Sequence, residues 1–148
     1  MKAQEWLDRG NATHDPIDAF SNYYKGLNNL FSSITSGSER DKIKQLIQDK
    51  IPEKNASQIL ETHSKNIDFL LSTPVIDMRG NGKDTREYIA SYNSTKDDIE
   101  KLKNVFMAIY QIRCNLEHGQ KSPSRERDIS LCQNTLPLLD SVITACLK

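Results

Sequence analysis

Apolar residues recur every three or four positions along almost the whole chain, and that spacing confines it to helices. The longest stripe is Ile99, Leu102, Val105, Phe106, Ile109, Ile112 and Leu116. Thr95 is placed to cap this helix, Asp97 and Asp98 in its first turn suit the helix dipole, and Gly119 is placed to end it. A second stripe (Ile17, Phe20, Tyr24, Leu27, Leu30, Phe31, Ile34) follows Asp15-Pro16, an N-cap and a first-turn proline, and breaks at Ser36-Gly37-Ser38.

Around these two helices the spacing predicts others. A short one covers about Ala3 to Arg9, with Gly10 as its stop. Ser38 and Asp41 form a capping-box pattern for a helix carrying Ile43, Leu46, Ile47 and Ile51, stopped by Pro52. A fourth runs from about Asn55 to Leu71. Residues 72–94 hold Pro74 and Gly80-Asn81-Gly82, so a loop is expected, with a turn or two of helix near Thr85 to Ala90. Ser122-Pro123 starts the last helix, and Pro137 inside it should bend it. The expectation is one all-α domain over residues 1–148, a bundle of about five to six helices.

Composition sets limits on function. The 20 basic and 20 acidic residues cancel, so any polyanion contact must come from a local cluster. Cys114, Cys132 and Cys146 are odd in number and show no CxxC spacing, so neither a disulfide framework nor a zinc site is expected. The start MKAQEWLDRGNATHD lacks a signal-peptide core, and no apolar run of membrane length exists. A soluble cytoplasmic protein with reduced thiols is expected.

Residues 109–128, IYQIRCNLEHGQKSPSRERD, carry the chemistry. Asn115 and His118 share a helix face. Arg113 and His118 lie about 140° apart on an ideal helix, so a long Arg side chain or a loosened helix end is needed to bring both to one ligand. A helix C-terminus stabilises imidazolium, which suits His118 to moving protons near neutrality. Arg113 offers a planar cation that grips phosphate at two points. Together they suffice for metal-free RNA cleavage, with the Arg stabilising the charge that develops on phosphorus. The same pair also fits an ordinary surface arrangement, with Arg113 bonded to Glu117 four residues on. Lys121, Arg125 and Arg127 follow the pair and could grip an RNA backbone, although Glu126 and Asp128 are interleaved.

The run from Ile112 to Gly119, with Lys121-Ser122-Pro123 and Arg127-Asp128 after it, resembles the HEPN superfamily. That family's signature is Arg, four to six residues, then His at the end of a long helix. Trp6 on a short first helix and the run FSNYYKGLNNLF from Phe20 to Phe31 are similar to the family's N-terminal half. The resemblance implies a HEPN-like helical bundle acting as a metal-independent endoribonuclease with no cofactor. It implies a homodimer with the site at its interface, catalytic Arg113 and His118, and products with 2′,3′-cyclic phosphate and 5′-hydroxyl ends. It further implies a place in toxin–antitoxin or antiviral defence, with an antitoxin or defence partner. Asn115 is the candidate for the polar role usually taken by the residue after the Arg, which here is Cys114. The family also includes members that bind RNA, nucleotide or a protein partner without cutting. Asn28 and Asn29 could line the cleft by the same resemblance, or simply lie on the surface. Trp6 reads as a plug of the bundle, His14 as a solvated or capping residue before Asp15-Pro16, and His63 as solvent-facing.

Overall fold

Asp15 opens the second helix as the sequence predicts. Its carboxylate accepts the Asp18 N–H at 3.0 Å, and Pro16 follows as the first helical residue. The computed structural model describes residues 2–117 and 125–148. Within them the chain is all-helical, with eight helices in the order α1 (Lys2–Asn11), α2 (Pro16–Phe31), α3 (Glu39–Lys50), α4 (Glu53–Thr62), α5 (Ser64–Ser72), α6 (Arg86–Ser94), α7 (Asp98–Glu117) and α8 (Glu126–Leu147). The expected count of five to six is too low, for two local reasons.

The first is a break in the expected fourth helix. His63 leaves helical geometry at φ −109° and ψ 26°, dividing α4 from α5. The apolar spacing runs on across the break, so the pattern hid it. His63 is half-buried rather than solvent-facing, and its Nε2 meets the Ser141 Oγ of α8 at 2.8 Å. The second is α6, a full helix where only a turn or two was expected. It follows a short hairpin held by a single antiparallel bridge between Ile76 and Asp84. Gly80 and Gly82 turn that hairpin with positive φ values of 80° and 76°.

Helix ends depart from expectation where side chains compete for backbone groups. Gly10 lies inside α1 and does not stop it. A Cβ there would sit 2.7 Å from the Tyr23 ring, so the glycine serves close packing of α1 on α2. α2 stops at Phe31, before Ile34, where the Ser32 hydroxyl donates back to the Asn29 carbonyl at 2.8 Å. The cap of α7 is Asp97, whose carboxylate accepts the Ile99 N–H at 2.9 Å. Thr95 supports it by accepting the Asp97 N–H at 3.2 Å. The capping box of Ser38 and Asp41 forms as predicted. α8 runs through Pro137 to Leu147. The expected stop at Gly119 and cap at Ser122-Pro123 fall outside the described residues.

α7 is the axis of the bundle. It packs against α3, α4, α5, α6 and α8, while α2 packs on α1 and α8. Val105 to Ile109 are five consecutive inaccessible residues, so the middle of α7 is buried around its whole circumference and not along one stripe. Phe20, Leu27, Ile47, Leu70, Leu139 and Val142 close the core on it. Among the described residues no helix is long and apolar enough to cross a membrane.

Burial lowers the His63 pKa, outweighing the opposing pull of Asp140. A lowered histidine favours the neutral form in the fold, so its stability contribution is complete above the unfolded-state value of about 6.5 and is lost as pH falls towards the folded value. His63→Gln keeps a hydrogen-bonding group without that titration. Its urea midpoint should fall less than that of the wild type between pH 7.5 and about 5; identical slopes would show that His63 is not coupled to folding.

Candidate functional site

The C-terminal turns of α7 present two different faces. Residues 113 and 115 are about 200° apart on a helix, so Arg113 and Asn115 point to opposite sides. Arg113 faces α2 and α3. Its guanidinium carbon lies 5.2 Å from the centre of the Tyr24 ring. Its Nη1 forms an ion pair with Glu117 one turn on, and lies 3.7 Å from the Glu39 Oε2 of α3. That same Glu39 oxygen accepts the Tyr24 hydroxyl at 2.5 Å. Burial, then the bond to Glu39, pushes the Tyr24 pKa far up, so the phenol remains a donor. Arg113 thus sits on an aromatic face between two carboxylates, with about a quarter of its side chain exposed.

The exposed part of Arg113 opens into a cleft of about 490 Å³ between the ends of α7, α1 and α2. Leu116 and Glu117 of α7 line it, with Trp6 of α1, Ser21, Lys25, Asn28 and Asn29 of α2, and Ser32 at the C-cap of α2. Trp6 is half-buried at the cleft wall and does not plug the bundle. Asn28 and Asn29 also line the cleft, Asn28 as an exposed surface residue and Asn29 half-buried.

Asn115 is 1% exposed and faces the hairpin. Its Oδ1 accepts the Met78 N–H and the Gln111 amide, both at 3.1 Å, and its Nδ2 donates to the Ile76 carbonyl at 2.8 Å. The hairpin is knotted from within by Asp77, which accepts the Arg79 backbone, the Arg79 guanidinium and the Asn81 amide. The Arg79 guanidinium holds the buried Asp77 carboxyl well below the usual range. Asn115 therefore positions the hairpin on α7, and its amide is engaged away from the Arg113 cleft.

The remaining candidates separate in the same way. Arg125 and Arg127 flank a mainly apolar groove against Pro74, Ile76 and Met78 of the hairpin, not the Arg113 cleft. His118 and Lys121 lie outside the described residues. Cys114 is buried, as an unreactive thiol would be. Sequence reasoning missed Tyr24, Lys25 and Glu39 as site residues. The usable signal was the polar stripe Ser21, Lys25 and Asn28 at helical spacing on α2, continued by its C-cap Ser32, opposite the core face.

Compared with known proteins, the chain matches no family model, no curated protein and no solved structure.

Removing the Asn115 amide leaves the Ile76 carbonyl, the Met78 N–H and the Gln111 amide without their partner. Asn115→Ala should cost about 3 kcal/mol in urea unfolding and speed hydrogen exchange at Met78. A loss under about 0.5 kcal/mol, with exchange unchanged, would show that the hairpin does not depend on this amide.

Proposed function

We propose that the chain is a metal-independent endoribonuclease of the HEPN kind, with Arg113 and His118 as its catalytic pair. The observation that supports this most is the placement of Arg113, whose guanidinium forms part of the wall of an open cleft of mixed polar and apolar lining at the end of the central helix. A purely structural arginine pair needs no such cleft.

The chemistry follows from the residue types. A substrate 2′-oxygen attacks the adjacent phosphorus, the bond to the 5′-oxygen breaks, and a 2′,3′-cyclic phosphate and a 5′-hydroxyl result. One proton leaves the 2′-hydroxyl and one reaches the departing 5′-oxygen, and His118 is the candidate carrier. Arg113 supplies donors to the phosphoryl oxygens as charge accumulates on them. A second copy facing the first would provide a second imidazole, so that acid and base are separate groups. In this reading a homodimer is the working unit, and a toxin–antitoxin or antiviral defence system, with its antitoxin or defence partner, is the setting.

A second reading is favoured by the carboxylates of Glu39 and Glu117 on Arg113. With its guanidinium already compensated, the same cleft would serve a non-catalytic module that binds RNA or nucleotide or docks a protein partner.

The test is incubation of wild type, His118→Ala and Arg113→Ala with mixed single-stranded and structured RNA in EDTA, with product ends identified. The nuclease reading expects cyclic-phosphate ends from wild type only, with Arg113→Ala slower by about 100-fold or more. Equal cleavage by all three would remove both residues from the mechanism. RNA binding without cleavage would transfer the assignment to the binding module.

A further inference from the structure

The wall of the Arg113 cleft formed by α1 and α2 holds more than a phosphate clamp requires. Trp6, the chain's single tryptophan, lies half-buried there. Its position is set by Gly26 of α2, where a Cβ would come within 3.3 Å of the Ala3 carbonyl and 3.4 Å of the Trp6 Cβ. The exposed Lys25 lays its Nζ 4.7 Å from the indole centre. One turn further along the same face, the Asn28 and Asn29 amides make no side-chain hydrogen bond among the described residues, although both line the cleft.

An indole face, unengaged amides and two cations answer three separate parts of a nucleotide. A nucleobase stacks on an aromatic ring whatever its identity. Its edge offers donors and acceptors that match a carboxamide. Its phosphate takes a lysine and an arginine. A lone inorganic anion would use the cations and leave the indole and amides idle.

We infer that this cleft is a subsite for one unpaired ribonucleotide, with the base on Trp6, its edge at Asn28 and Asn29, and its phosphate at Lys25 and Arg113. On binding, the Lys25 ammonium exchanges its exposed contact with the indole for the phosphate, which bares the ring for the base. Stacking supplements a small number of charges, so the neutral net charge of the chain is no obstacle. The inference rests on the reading of this cleft as an RNA site and extends it to substrate form, since a base held in a duplex cannot reach the indole.

Trp6 is its own reporter. The full chain is titrated with adenosine 5′-monophosphate, with adenosine and with inorganic phosphate, and tryptophan emission is followed. Saturable quenching by the nucleotide is expected, weaker binding of adenosine, and no quenching by phosphate, which nevertheless competes. Lys25→Ala and Asn28→Ala alter exposed residues and should each weaken the nucleotide by about tenfold with unchanged circular dichroism. Unaltered emission at saturating nucleotide would overturn the subsite. So would equal quenching by phosphate, or undiminished binding in both variants. The mononucleotide contains no internucleotide phosphodiester to cleave, so failure here is distinct from failure of the RNA cleavage assay.

Discussion

Three helices meet at one phenol. Tyr24 of α2 gives its hydroxyl to Glu39 of α3 and its ring face to Arg113 of α7. Burial of the phenol makes its hydrogen bond obligatory, because an unpaired buried hydroxyl is costly. Glu39 must therefore stay close, and its charge in turn draws the guanidinium of Arg113. The junction fixes where α7 ends relative to α1 and α2, and so creates the cleft. The opposite face of the same helical turns is fixed by Asn115 and the hairpin. One stretch of α7 thus carries two tethers, and the side bearing Arg113 borders the cleft.

Much of this architecture was legible in the residues. The Asp15-Pro16 start and the Ser38–Asp41 box are local devices, and local devices read directly from sequence. The apolar stripe of α7 was visible, but its burial on every side was not, because Met107 and Ala108 belong to no stripe and are buried only by the helices surrounding them. The break at His63 was hidden for the related reason that the partner holding it, Ser141, lies 78 residues away. Gly10 shows a local rule overruled: glycine often stops helices, but here the Tyr23 ring claims the space of the missing side chain.

The site divides similarly. The motif pointed to Arg113, and the alternative pairing of Arg113 with Glu117 was readable from their spacing. It could not show that Glu39 joins them, since a contact over 74 positions leaves no periodic trace. Asn115 was drawn towards the site because it is three residues from His118, yet its neighbours in space are hairpin backbone groups. Arg125 and Arg127 were grouped with Arg113 by nearness in sequence, whereas they flank a separate groove.

A cation held between carboxylates meets an incoming phosphate on competitive terms. Glu39 and Glu117 keep Arg113 ordered, and they weaken any anion that must share it. The most direct measurement of this account is the affinity of Glu39→Gln for a single-stranded RNA made uncleavable by 2′-O-methylation. The glutamine amide oxygen can still accept the Tyr24 hydroxyl, so the junction is preserved while one negative charge is removed. If Arg113 is the anion-binding group of this cleft, the variant should bind RNA about three- to tenfold more tightly than wild type, with the gain lost on adding Arg113→Ala. Unchanged or weaker binding in Glu39→Gln would contradict it, and would mean that the arginine serves the junction alone.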